Sequence, residues 1–186
     1  MDTAAQEYRC EAGLLVDTIP VIQYPKGKLL LKEGKICNHA YYIESGQLRA
    51  YYSKDGKEIN LNFYFENDLA ANLKSYLSAL PSEYNICTCE PTTARVFDKN
   101  QFWKWYRESD DVGSQANQIL QGLLMKQQEH SILFKIYNPT ERYQYVAKHN
   151  PMLLQRVPLT QICSYLGISR ETISRIRRKV PRSSGS

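Results

Sequence analysis

The residues with the clearest chemical purpose lie near the C-terminus, in VPLTQICSYLGISRETISRIRRKV, residues 157–180. At about 100° per residue on a helix, Arg170, Glu171, Ser174, Arg175, Arg177 and Arg178 fall on one side of the second half of this segment. Ile173, Ile176 and Val180 fall on the other. A solvated amphipathic helix more often interleaves Glu with Lys four residues apart for mutual support. Four guanidinium groups beside one carboxylate instead match base edges in a DNA major groove. Arginine can pair bidentately with guanine, and glutamate can accept from cytosine N4. The face that carries Arg170, Glu171, Ser174 and Arg175 therefore suits a major groove. Phosphate contacts are expected from Thr160, Gln161, Ser169, Thr172, Arg177 and Arg178.

Such a stripe needs a support. Leu159, Ile162 and Leu166 share a face, so a short helix is predicted over 159–166. Gly167 supplies the left-handed residue that ends it at low cost. Ser169 is a good N-cap for a second helix from Arg170. Two short helices joined by a tight glycine-containing turn form a helix-turn-helix. The charge distribution agrees with this. Residues 138–186 carry nine basic and two acidic residues, a net +7, whereas the first 137 carry 15 basic and 17 acidic, a net −2. A basic segment seeks a polyanion, because each neutralised phosphate releases condensed counterions.

Upstream, 28–97 holds short β-like pieces such as KLLL, AYYIE, QLRAYY and INLNFYF, with Asp55-Gly56 as a hairpin signal. Their spacing predicts a small barrel or jelly roll, with a helical turn near 69–80. The first 24 residues read as a helical or irregular lead-in. From Asp110 to Tyr137 the period becomes helical. Val112, Ala116, Ile119, Leu123, His130 and Leu133 form a near-heptad seam, interrupted by Lys126, on a helix of about 40 Å. The seam suits pairing with a second copy, or packing on the chain's own barrel. Asn138-Pro139 ends this helix, and ERYQYVAKH forms another before Asn150-Pro151.

The chain of 186 residues, 42% hydrophobic and 23% charged, has the composition of a folded globular protein. No membrane-spanning stretch and no secretory leader is evident, so a cytoplasmic location is expected. The five cysteines and three scattered histidines show no metal-ligand spacing, and no nucleophile–base pair stands out. Neither a metal nor another cofactor is expected, and the chain is not expected to be an enzyme. Two alternatives remain: a ligand-binding roll whose basic tail binds polyanions without sequence choice, and a cupin-like enzyme.

The segment ICSYLGISRETISRIRRK resembles the Crp/Fnr family of bacterial transcription regulators. Cys163, Gly167 and the apolar positions Ile162, Leu166, Ile168, Ile173 and Ile176 fit the family's pattern. LLLKEGKICNHAYYIESGQLRAYY is similar to its β-roll, with Glu33-Gly34 and Gly46 in corresponding places. The resemblance implies an α+β fold: a cyclic-nucleotide-binding-like β-roll over 1–109, a dimerisation helix over 110–137 and a helix-turn-helix domain over 138–186. It implies a homodimer that reads a TGTGA-like half-site in double-stranded DNA through Arg170, Glu171 and Arg175. Contact with RNA polymerase and a small-molecule effector are further implications, and the segment 149–158 is the expected polymerase-facing loop.

The sequence departs from the family in three places. Ala71-Asn72-Leu73 stands where a nucleotide-binding Gly-Glu-Leu would be, and Ser82 where the phosphate-binding arginine would be. Tight cyclic AMP binding is therefore not expected, because a buried phosphate needs a cation or a nest of donors. Cys10 is the single cysteine near the N-terminus, which argues against an iron–sulfur cluster. Only 181–186 follow the recognition helix, so a β-hairpin wing is not expected.

Overall fold

The computed structural model describes residues 19–108 and 110–179. Most of the expected lead-in, Cys10, Val180 and the C-terminal tail lie outside these residues. Eight strands form two antiparallel four-stranded sheets. They are β1 (Val21–Tyr24), β2 (Leu29–Leu31), β3 (His39–Ser45), β4 (Leu48–Lys54), β5 (Lys57–Tyr64), β6 (Leu69–Ala70), β7 (Asn85–Thr88) and β8 (Thr92–Asp98). One sheet has the order β1-β8-β3-β6, the other β2-β7-β4-β5. The expected α+β fold with a β-roll is present.

Alternation decides what the roll buries. Tyr41 and Ile43 on β3, Leu48 and Ala50 on β4, and Ile86 on β7 point inward and form one core with Leu31 and Ala94. The Asp55-Gly56 signal is realised: Lys54 pairs with Lys57, and both turn residues have positive φ, 51° and 71°. Gly46 is required between β3 and β4. Its φ is +100°, and a Cβ there would lie 2.5 Å from Thr92 Oγ1 and 2.6 Å from the Pro91 carbonyl.

Three elements differ from expectation. Val21–Tyr24 is a strand paired with β8 rather than irregular lead-in. The run Lys99–Glu108 is a helix, α2, following α1 (Leu73–Ser78); Asp98 Oδ1 caps it by accepting from the Asn100 and Gln101 amides at 2.9 and 3.0 Å. Residues 151–156 form a helix, not a loop.

The long helix α3 spans Asp110–Ile136 and is tied to the roll by Lys126 Nζ, 2.9 Å from Asp68 Oδ1. Four shorter helices follow: α4 (Pro139–His149), α5 (Pro151–Arg156), α6 (Leu159–Leu166) and α7 (Arg170–Lys179). Asn138 and Glu141 make a capping box at the start of α4, with Pro139 in its first turn. Asn150 caps α5 by accepting from the Leu153 amide at 3.3 Å. Among the described residues no helix is long and apolar enough to cross a membrane.

Candidate nucleic-acid interface

The site is built from α6 and α7. Gly167 ends α6 with φ +64°, and its amide donates to the Cys163 carbonyl. Ser169 Oγ accepts from the Thr172 amide at 3.2 Å and donates to Thr172 Oγ1 at 3.1 Å, which caps α7. Ile173 and Ile176 are buried with Ile162, Leu166 and Ile168 against Tyr143 and Val146 of α4 and Leu153 of α5. That packing fixes the rotation of α7 and leaves Arg170, Glu171, Arg175 and Arg178 in solvent. Ser174 is half-buried and accepts from Arg178 Nη2 at 3.4 Å. The Glu171 carboxyl is held below the ordinary range by its own backbone amide, by Ser169 and by Arg170, so it is an acceptor at neutral pH.

The predicted phosphate contacts divide. Thr160 is exposed at the start of α6. Arg177 is exposed, but its Nε donates to the Tyr143 hydroxyl at 2.8 Å. Gln161 differs from expectation: its Oε1 is buried without a partner, and its carbonyl accepts from Asn60 Nδ2 at 3.4 Å. Its side chain is turned into the chain because α6 packs on β5. Ser164 Oγ seals that contact, accepting from the Asn60 amide at 3.0 Å and donating to the Glu58 carbonyl at 3.1 Å.

Two arginines counted only as charge have structural roles that composition could not reveal. Arg142 donates to the carbonyls of Tyr137, Leu166 and Phe134 at 3.0, 3.2 and 3.3 Å, closing the C-terminal ends of α3 and α6 together. Arg156, at the end of α5, pairs with Glu66 and Glu90 of the roll. The segment expected to face a polymerase is thus partly a strut between the two halves of the chain.

The seam on α3 is partly covered by its own chain. Val112 and Leu133 are buried, His130 packs on Phe134 and Tyr165, and Ala116, Ile119 and Leu123 face the roll across a cavity. Burial pushes the His130 imidazole pKa down. Apolar periodicity marks a covered face without naming what covers it: packing within the chain buries Val112 and Leu133, while Ala116, Ile119 and Leu123 are half-buried. Leu124, Met125, Ile132 and Ile136 are the exposed large apolar residues of α3, Ile136 at 70%.

The residues of the nucleotide cassette satisfy one another. Asn72 Oδ1 accepts from the Ser75 amide at 3.1 Å and caps α1, while its Nδ2 donates to Ser82 Oγ at 2.9 Å and Glu83 Oε2 at 3.3 Å. Ser82 Oγ donates to the Tyr84 carbonyl at 2.7 Å. Both side chains are buried. The nearby ammonium of Lys74 is paired with Glu83, whose carboxyl it pulls down to about 2. A cyclic phosphate would meet an amide and a hydroxyl already engaged and an ionised carboxylate. These residues do not fit that ligand.

Residues 21–109 match the family described as the cyclic nucleotide-binding domain. Among solved structures, the chain is similar to FixK2 from Bradyrhizobium japonicum, with 19% identity and a TM-score of 0.69 over 86% of this chain and 83% of that one. It is similar to the catabolite activator protein of Thermus thermophilus, with 20% identity and a TM-score of 0.57 over 90% and 81%. A Crp/Fnr family transcriptional regulator from Eubacterium rectale gives 18% identity and a TM-score of 0.65 over 96% and 82%. No curated protein matches the sequence.

Proposed function

We propose that this chain, whose residues 21–109 form a cyclic nucleotide-binding domain and whose overall fold is that of the Crp/Fnr regulators, is a sequence-specific DNA-binding transcription regulator. The observation that carries this is the exposure of Arg170, Glu171 and Arg175 on one side of α7, while Ile173 and Ile176 are buried on the other. Arg170 and Arg175 pair with guanine edges, Glu171 accepts from cytosine, and Ser174 supports the stripe. Thr160, Ser169, Thr172, Arg177 and Arg178 hold the backbone. The protein is not an enzyme; it acts in the cytoplasm, and RNA polymerase and an unidentified effector are its further partners.

The functional unit is a homodimer. The roll lies within 1–109, the pairing helix within 110–137 and the DNA-reading unit within 138–186. Two copies meet along the outer face of α3, through Leu124, Ile132 and Ile136, and set two α7 helices about 34 Å apart on a near-palindrome. Cyclic AMP is not the effector, because Asn72 and Ser82 are committed to each other.

Selection of bound sites from random duplex DNA tests sequence choice and half-site spacing together. Enrichment of an inverted repeat with TGTGA-like halves is the expected result. If the selected pool and a scrambled duplex compete equally at fixed salt, the protein is a non-specific polyanion binder instead.

A further inference from the structure

The two faces of the first sheet serve different compartments. Ala40 lies opposite Phe97, and Tyr42 opposite Leu69, so these four side chains share one face. Tyr41, Ile43, Ala70 and Ala94 occupy the other and belong to the roll's core. The first face is outside the roll. Between it and α1, α2 and α3 lies a cavity of about 170 Å³. Tyr76 of α1, Phe102, Trp103 and Tyr106 of α2, and Ile119 and Leu123 of α3 form much of its wall. Leu73 of the cassette contributes to the wall, whereas Asn72 and Ser82 do not.

Among the described residues, the wall includes no Asp, Glu, Lys, Arg or His. An anionic or cationic metabolite would be desolvated there without a partner charge. An apolar pocket of this size suits a small apolar guest, as a cavity of about 150 Å³ lined by apolar side chains accepts benzene. Phe102, Trp103 and Tyr106 already meet edge-on or tilted, at centroid distances of 5.4–6.2 Å, and such ring clusters favour another ring.

We propose that this cavity outside the roll, walled by α2 and α3, is a binding site for an uncharged small molecule of monocyclic aromatic size. It does not depend on the DNA-reading proposal, and only a regulatory consequence through α3 would rest on that. Both tryptophans of the chain, Trp103 and Trp105, line the cavity and report its occupancy.

The test is titration of the full chain with toluene, followed through the two tryptophan indole N–H resonances, with benzoate as the charged control. Toluene is expected to give a saturable shift of the Trp103 resonance, and benzoate none. Ala116→Phe, which fills the cavity from α3, is expected to weaken toluene binding about tenfold or more. Should that variant lose its helical circular dichroism, Leu69→Phe fills the cavity from the sheet and serves instead. Absence of a saturable shift in the folded protein, equal shifts with benzoate, or undiminished binding by the folded filled variant overturns the proposal. So does an indole resonance that moves with protein concentration but not with toluene, which identifies a second copy as the occupant. DNA is absent throughout, so failure here is separable from failure of the regulator reading.

Discussion

Arg156 Nη1 lies 2.5 Å from Glu66 Oε2, and its Nη2 lies 3.0 Å from Glu66 Oε1, a bidentate pair joining the end of α5 to the roll. The same guanidinium also pairs with Glu90, donates to the Gly46 carbonyl at 3.2 Å, and lies 5.3 Å from the Phe65 ring centroid. The glycine forced into a left-handed turn is therefore a fixed anchor for the helical half.

Glu66→Gln should destabilise the chain by about 1 kcal/mol near neutrality. The two side chains are 23% and 34% exposed, so solvent screening keeps the figure at the upper end for surface pairs rather than that for buried ones. The Glu66 carboxyl is held below its ordinary value chiefly by its hydrogen bond to Arg156. The pair's stabilisation is therefore complete above the unfolded glutamate pKa of about 4.3 and is lost as pH falls through the lower folded value. Urea unfolding of both proteins across the acid range should show the gap closing toward low pH. A gap that stays constant would mean that the ionised carboxylate is not what stabilises the pair.

Arg170→Ala should cost about 1–3 kcal/mol on the selected site and relax preference at one base pair. Arg178→Ala should instead weaken specific and scrambled duplexes alike and lower the salt slope by about one ion. Binding isotherms on both duplexes at several salt concentrations separate the two behaviours. Equal loss on both duplexes with Arg170→Ala would remove it from the base readers.

Arg142→Met should lower stability by about 1–3 kcal/mol without altering base preference. Three carbonyls, those of Phe134, Tyr137 and Leu166, lose their donor at once, and Phe134 loses a guanidinium 5.0 Å from its ring centroid. Denaturant titration measures the loss, and site competition verifies that specificity stays intact. A variant of unchanged stability would mean that water replaces the guanidinium.

The helix-turn-helix was legible because its signals are local. Gly167 must turn left-handed, Ser169 must cap, and Ile173 and Ile176 must face away from the arginines; each follows from residues a few positions apart. The roll's hairpin at Asp55-Gly56 was legible for the same reason. What was hidden depends on contacts between distant segments. His130 and Leu133 carry the same apolar signal whether a second copy or the chain's own α6 covers them. Gln161 reads as a polar residue at a helix start until β5 is known to lie beside it. Arg142 and Arg156 look like DNA-seeking charge until their carbonyl and carboxylate partners, up to 110 residues away in sequence, are in place. Helix α2 did leave a signal, Asp98 before KNQFWKWYRE, but its aromatic residues read equally well as a strand.

Asn72 offers the sharpest test of the cassette. Its side chain caps α1 through the Ser75 amide and holds Ser82 Oγ, so Asn72→Ala removes a cap and leaves a buried hydroxyl one partner short. Together these should cost about 1–3 kcal/mol. Calorimetry with cyclic AMP should give no binding heat for either the parent or the variant, because neither offers a cation to the phosphate. Ser82→Arg alone should not create binding, since the Glu83 carboxylate beside it would pair with the new guanidinium and the Asn72 side chain stays committed to capping α1. Micromolar cyclic AMP binding by the parent protein would show that the Asn72–Ser82 pair opens on demand, and the cassette would then be a working nucleotide site.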